Sequence, residues 1–367
     1  MVRPGLRRAR LRLRRPGLAG ARPARPRAAA PGRDRVAARG RVARPGRARV
    51  EPGGRLRRAR GADGPRGRGP GRGPLVTGRH ALVTGGAGFA GRWLCRDLAA
   101  NGYRVTAWGR RGASVEGATS RRVDIRDPGA CRDALDSDPP DVLFHLAAVT
   151  HVGDAARDPD VAWRTNVDGT RNVLAPLPDT TPAVFASTCH VYGPPMSLPV
   201  SEAHPVSPRG VYAESKAAAE EAARAAHPRT VIARAFHHTG PGQEPRYVLA
   251  AWARDLADGV RPLRTGDRSV RRDFTDVRDI ARGYRFLAER AAPGAVINLC
   301  SGEAPSLDAL LTVLNGGVPP AAELDPARLR PDDVPELRGD PSRALAIGWR
   351  PLLLLSRTLR DLRRSFA

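Results

Sequence analysis

The sequence predicts an α/β fold: a doubly wound parallel sheet followed by a smaller C-terminal α/β lobe. Three observations predict it. Short apolar strands alternate with helical segments from residue 80 to about 240. A glycine-rich turn joins the first strand to the first helix. Beyond about residue 240 the alternation weakens.

The elements follow in order. "HALVTGGAGFAG" (80–91) is an apolar strand running into glycines, and "GRWLCRDLAANG" (91–102) is a helix stopped at Gly102. "YRVTAWGRR" (103–111) is a second strand. "RRVDIRD" (121–127) is a third, with a short helix around Ala130–Leu135 after it. "DVLFHLAAV" (141–149) is apolar enough to be a strand covered on both faces. Residues 160–177 are helical, and "PAVFASTCHVYG" (182–193) is a fifth strand with its loop. "YAESKAAAEEAARAAH" (212–227) is an Ala/Glu helix ended by Pro228, and "RTVIARAFH" (229–237) is a sixth strand. Later, a helix at 247–259 and a strand at 295–302 belong to the smaller lobe. Right-handed βαβ crossovers make the main sheet parallel. The predicted division is 1–76 as a tail, 77–240 as the main domain and 241–367 as mainly the smaller lobe, with some elements returning.

The net charge of +25 suggests a nucleic-acid binder until it is located. Residues 1–79 hold 25 Arg against Asp34, Glu51 and Asp63, or +22, so the remainder carries only +3. The tail is Arg, Pro, Gly and Ala without an aromatic residue, a composition that predicts disorder over 1–76. It lacks the apolar stretch of a secretory signal and the aromatics that stack bases, so nucleic acid is not an expected partner. Translation from a misplaced start near Val76 is the simpler explanation; an RNA- or membrane-binding arm is the other. Cys95, Cys131, Cys189 and Cys300 show no metal or redox spacing, so neither a disulfide nor a metal centre is expected. With cysteines so far apart, a reducing cytoplasm fits; no apolar run of about 18 residues occurs, so no membrane span is expected.

Gly85, Gly88 and Gly91 have the spacing G-x-x-G-x-x-G between a strand and a helix. That context makes them a dinucleotide-binding loop of the Rossmann type: a tight turn, close approach of backbone to pyrophosphate, and tight helix–strand packing. Phe89 and Ala90, within the same loop, join them as candidate cofactor contacts. The second strand ends in Arg110 and Arg111 where an acid would grip a ribose 2′-hydroxyl. Two guanidiniums suit a 2′-phosphate, which favours NADP(H) over NAD(H). In so Arg-rich a chain, however, the pair is also ordinary background. Asp124, followed by Ile125, lies where an adenine amino group would fall; a solvated loop acid is the alternative.

Of the 62 basic residues one is lysine, Lys216, four residues after Tyr212. The i, i+4 spacing puts both on one helix face. An ammonium and an oxidised nicotinamide would lower the phenol toward working pH, letting Tyr212 pass a proton while hydride moves at the adjacent carbon. Arginine, planar and forked, is a poor replacement for a compact ammonium. The bland alternative is a surface lysine on an Ala-rich helix.

Together, "TGGAGFAG", "VDIRD", "HLAA" (145–148), "YAESK" and "RRDFTDVRD" (271–279) resemble the extended short-chain dehydrogenase/reductases that act on nucleotide sugars. The resemblance covers about 80–350. It implies that Leu146, Ala147 and Ala148 line the cofactor groove and that Asn166 lies in a helix backing the site. It also implies that Thr188 binds the reacting sugar oxygen, completing a set with Tyr212 and Lys216, and that Arg272 grips the substrate diphosphate. His237 stands where the family usually has an Asn that contacts that diphosphate. The family's dehydratases carry a carboxylate in the two positions after the Thr; here these are Cys189 and His190, which disfavours 4,6-dehydration. His190 is read as a substrate contact or acid–base group, or else as a structural loop histidine.

"ARAFHHTGPGQ" (233–243) and "INLCSG" (297–302) resemble most the branch of the family that reduces GDP-4-keto-6-deoxy-mannose. The expected reaction is hydride transfer at C4 of a nucleotide-linked sugar. A 4-epimerase is the alternative, and an RNA-associated protein acting through its basic tail is the non-enzymatic one. The resemblance further implies a homodimer through helices near 160–177 and 212–227.

Overall fold

The computed structural model describes residues 78–329 and 333–367; the predicted disordered tail at 1–76 lies outside them. Strand β1 (His80–Thr84) is wholly buried, and helix α1 (Phe89–Ala100) follows the glycine turn. α1 closes with the Tyr103 N–H on the Leu98 carbonyl and the Gly102 N–H on that of Ala99, with Gly102 at φ +84°. Then come β2 (Arg104–Gly109), β3 (Thr119–Arg122), α2 (Pro128–Ser137) and β4 (Val142–His145). Helices α3 (Val152–Arg157), α4 (Pro159–Trp163) and α5 (Gly169–Leu174) run to β5 (Ala183–Thr188). A π-helical turn, Arg164–Asp168, joins α4 to α5. After a 3₁₀ turn at Cys189–Tyr192 come α6 (Gly210–Ala226) and β6 (Thr230–Ala235). α6 is opened by the Gly210 N–H donating to the Glu214 carboxylate at 3.1 Å and ends at His227, before Pro228.

The remaining elements are β7 (His237–Thr239), α7 (Val248–Ala257), β8 (Leu263–Thr265), β9 (Arg271–Arg272), β10 (Phe274–Asp276), α8 (Val277–Arg290), β11 (Val296–Leu299), α9 (Leu307–Leu314), β12 (Ala322–Leu324), β13 (Glu336–Leu337), α10 (Ser342–Ala346) and α11 (Leu355–Arg364). Seven strands form one parallel sheet in the order β11-β6-β5-β4-β1-β2-β3. The order reverses between β1 and β4, and ligands of such sheets bind at that switch point, outside the carboxyl ends of the strands. Three short parallel pairs, β7–β10, β8–β12 and β9–β13, stand apart from it.

Both faces of the sheet are covered. On one, Leu94, Cys95 and Leu98 of α1 meet Tyr284 and Leu287 of α8, together with Trp349. On the other, Cys131 and Leu135 of α2, Val173 and Leu174 of α5, and Ala219, Ala222 and Ala223 of α6 pack over Leu143, Phe185 and Ile232. Each fully buried leucine contributes about 1.5–3 kcal/mol over its exposed state. A separate apolar cluster joins α7, α9 and α11.

The sequence reading differs from this fold at four places. The third strand is Thr119–Arg122, not 121–127, because β3 stops pairing where β2 ends at Gly109. Val123 and Ile125 are buried by packing instead, and Asp127 leaves the strand to cap α2, accepting from the Ala130 N–H. The strand near 295–302 lies in the main sheet, with Val296 to Leu299 paired to Ile232 to Ala235. The helix at 160–177 contains the π turn and is shorter. Helix α8 has no counterpart in the sequence reading: its arginines interrupt an apolar stripe that seats against α1, where the half-buried Arg285 pairs with Asp97 at 2.7 Å.

Candidate active site

The carboxyl ends of β1, β4, β5 and β6 bring the predicted residues to one rim. At β1, Gly85 adopts φ +71°, a conformation that L side chains resist, and its N–H donates to the Trp108 carbonyl at 2.9 Å. A Cβ on Gly91 would lie 2.2 Å from the Gly85 carbonyl oxygen and 2.8 Å from Gly86 Cα. The third glycine therefore lets α1 pack on the turn. Gly91→Ala is expected to cost about 1–3 kcal/mol and to weaken nicotinamide-nucleotide binding. Denaturant unfolding and a fluorescence titration check this; two unchanged values would contradict the tight approach.

The opening of α1 suits a dinucleotide. Gly88 is its N-cap, no side chain caps it, and no acidic residue occupies its first turn. The N-terminal N–H groups are thus left for an anion. Gly88 is exposed, and Phe89 and Ala90 are half-buried beside it. Phe89 stacks on His238, with 6.0 Å between ring centroids. From β4, the Leu146 N–H donates to the Thr84 carbonyl at 3.2 Å and the Ala147 N–H to Thr84 Oγ1 at 3.2 Å. Ala147 backs Gly85 so closely that a Cβ there would meet its nitrogen at 2.8 Å. Ala148 follows, half-buried.

Arg110 and Arg111 are exposed past β2. Asp124 already holds Arg126 through both carboxylate oxygens, at 2.6–3.2 Å, and this pairing depresses its pKa, with Arg110 adding to the effect. An adenine amino group would have to share that carboxylate. Ile125 is buried against Gly169, and its carbonyl accepts from Asn172 at 2.9 Å, so its side chain is core.

Thr188 ends β5, and Tyr212 and Lys216 lie one helical turn apart on α6. Tyr212 is half-buried. Its phenol is pushed above its ordinary pKa by desolvation, while a hydrogen bond with Thr188 pulls it down. The sequence reading expects the lysine to acidify this phenol. Lys216 instead donates to the Ala186 carbonyl at 2.7 Å and sits 4.1 Å from the Phe185 ring centroid. Lys216 is only 3% exposed. Burial lowers its pKa to about 7, with Glu220 opposing. The surface-lysine alternative is thereby excluded.

This shift has a stability consequence. Below about pH 7 the folded chain buries an ammonium, and that penalty fades as pH rises from about 7 to the ordinary value of 10.5. Wild-type protein is therefore expected to gain stability relative to Lys216→Met across that window. Unfolding midpoints of the two proteins near the two ends of the window check it; a constant difference would contradict it.

Residues behind this set hold it in place. Asn166, which the resemblance puts in a backing helix, lies in the π turn. It accepts from the Val149 N–H at 2.8 Å and donates to Ser215 Oγ at 2.9 Å; Ser215 in turn donates to the Tyr212 carbonyl at 3.0 Å. The turn thus aims one amide at both the β4 loop and α6, a placement typical of π-bulges at functional sites. His145, which sequence reasoning passed over, bridges Thr84 Oγ1 at 2.7 Å and Thr170 Oγ1 at 3.1 Å. Burial, then Lys216, lowers its pKa to about 3. It is a neutral strut. Only its place in "HLAA" signals it.

On the far side, the His190 ring lies edge-on to Tyr212 at 5.7 Å and to His237 at 5.6 Å. The spacing of the cysteines predicts no metal grouping. The fold nevertheless gathers Cys189, His190 and His237 so that one ligand atom of each lies within 4.8 Å of the others. Arg272 is 7% exposed and ion-paired with Asp333. The neighbouring Asp273 accepts from the N–H groups of Ser301, Gly302 and Gly339 at 2.8–3.2 Å, which fixes the strand carrying Arg272.

No helix among the described residues is long and apolar enough to cross a membrane. Residues 81–300 match the family model of the NAD dependent epimerase/dehydratase family. A GDP-6-deoxy-D-mannose reductase from Pseudomonas aeruginosa is 34% identical over 299 residues, covering 77% of this chain and 95% of its own. Among solved structures, RMD from Pseudomonas aeruginosa complexed with NADPH is 31% identical with a TM-score of 0.68, over 78% of this chain and 98% of that one. The UDP-glucose 4-epimerase of Thermus thermophilus in complex with NAD is 28% identical with a TM-score of 0.70, over the same shares.

Proposed function

The chain belongs to the NAD dependent epimerase/dehydratase family, and within it we propose a reductase that uses NADPH on a GDP-linked 4-keto-6-deoxy sugar. The family's nucleotide-sugar reductases and epimerases make this chain an enzyme of that type. The Thr188–Tyr212–Lys216 set carries hydride transfer at C4, and the 34% identity to a GDP-6-deoxy-D-mannose reductase favours reduction over epimerisation. Tyr212 is held protonated by burial, and Cys189 and His190 stand where a carboxylate would be needed for dehydration.

The first turn of α1 and the Gly85–Gly91 loop would hold the cofactor diphosphate. Arg110 and Arg111 would take the 2′-phosphate, the Leu146–Ala148 segment would line the groove, and Lys216 would bind the nicotinamide ribose. The bound cofactor supplies the hydride. Tyr212 gives its proton to the sugar oxygen at C4 as negative charge develops there, and Thr188 orients that oxygen. An ammonium at Lys216 favours the phenolate left behind. Arg272 would exchange Asp333 for the substrate diphosphate, which its fork of donors matches better than a single carboxylate does.

The likeness to a UDP-glucose 4-epimerase favours a second reading, C4 epimerisation by the same set. A panel of nucleotide 4-keto sugars with NADPH or NADH, followed by absorbance of the reduced cofactor, separates the two. Net consumption is expected with the GDP-linked sugar and NADPH. Full retention of NAD through purification, with no net consumption, would replace the reductase by the epimerase.

A further inference from the structure

We propose that Cys189, His190 and His237 form a binding site for a thiophilic divalent cation of the Zn²⁺ class, and that its occupation closes the sugar pocket. The three side chains come from two fixed elements at the rim: the 3₁₀ turn that follows β5, and the first residue of β7. Their candidate ligand atoms lie within 4.8 Å of one another. A tetrahedral zinc centre with one sulfur at about 2.3 Å and two nitrogens at about 2.0–2.1 Å needs ligand separations of roughly 3.3–3.6 Å. Binding therefore requires the three side chains to draw together from their present spacing. The ligand set also selects the metal class. One thiolate with two imidazoles suits zinc or cobalt, whereas magnesium and calcium demand oxygens.

The surroundings hold the histidines where the ion needs them. The His237 ring is braced by Phe274, with centroids 5.4 Å apart, and lies edge-on to His190 at 5.6 Å. Cys189 is 1% exposed. On binding, the ion replaces the Cys189 thiol proton, which leaves to solvent, and no electron moves. Three protein ligands leave a fourth position open for water. His190 is also edge-on to Tyr212, so a hydrated ion at this site fills the space in which a sugar would approach the phenol. The second half of the proposal, competition with sugar, rests on the reductase reading; cation binding does not.

Cobalt is the probe, because a tetrahedral thiolate site gives it visible absorption and a sulfur-to-metal charge-transfer band. Full-length protein titrated with Co²⁺ is expected to show both bands at one equivalent, with Zn²⁺ displacing them. Cys189→Ser should abolish the charge-transfer band, and His237→Gln should weaken binding by about tenfold or more. Circular dichroism reports on the fold of each variant, and having two variants guards against misfolding of one. Absent bands, or affinity unchanged in both folded variants, would overturn the site. Adding a GDP-sugar should shift the cobalt titration to higher concentration. If the bands form but the sugar leaves them unmoved, occlusion is overturned while the site stands. Absence of turnover on every sugar would count against the reductase reading, and with it occlusion, while the cation site stands.

Discussion

Lys216→Arg is expected to lower kcat/KM by at least about a hundredfold, the low end for loss of acid–base assistance, although it keeps a positive charge. The cavity around the lysine is the reason. Its ammonium lies between the Ala186 carbonyl, at 2.7 Å, and the Phe185 ring, at 4.1 Å, with 3% exposure. A guanidinium is wider, carries five donors in a plane, and stays charged at every working pH. Burial brings the Lys216 pKa down to about 7, whereas arginine keeps its proton. Arginine must therefore displace Phe185 or turn away from the cofactor side. Lys216→Met provides the comparison: it should fold and be equally inactive, so that a well-folded but slow Lys216→Arg points to chemistry. Tyr212→Phe, which removes the proton donor without changing shape, should match them in rate. Near-normal rates in Lys216→Arg would show that the lysine does not serve the reaction.

The second large effect is on stability. Glu220, 2% exposed on α6, is met by Arg234 of β6 through two hydrogen bonds at 2.9 and 2.7 Å, and by the Ser187 hydroxyl at 2.5 Å. Arg234 is itself 4% exposed and stacks under Tyr192 at 4.7 Å. Glu220→Gln leaves that guanidinium buried without its counter-charge, a change that costs about 3–5 kcal/mol. Because Glu220 also raises the Lys216 pKa, the variant should shift the alkaline limb of the pH–rate profile to lower pH. Urea unfolding and a pH–rate profile check the two effects. A loss under about 1 kcal/mol would mean that Arg234 finds another partner or water.

Some parts of this site are legible in the sequence and others are hidden, for physical reasons. The glycine loop is readable because its spacing encodes close contacts: Gly91 against the Gly85 carbonyl needs no partner from elsewhere in the chain. Tyr212 and Lys216 are readable because a helix converts a spacing of four into one face. The third strand is misplaced because Val123 and Ile125 look like strand residues, yet they are buried by helices after pairing has ended. α8 is hidden because its arginines, Arg278, Arg282, Arg285 and Arg290, mask the apolar stripe between them. Ser187 meets Glu220 across 33 positions of chain, and His237 reaches Cys189 and His190 from a different strand. No local pattern encodes such meetings; the order of strands in the sheet creates them.

The proposed reductase delivers hydride to C4 of a keto sugar and keeps none of it in a bound cofactor. Stoichiometric NADPH carrying deuterium at the transferable position, mixed with GDP-4-keto-6-deoxy-mannose and enzyme, tests it in one step. One deuterium is expected at C4 of the product for each NADPH consumed. Product without deuterium, with the added NADPH unspent, would contradict it.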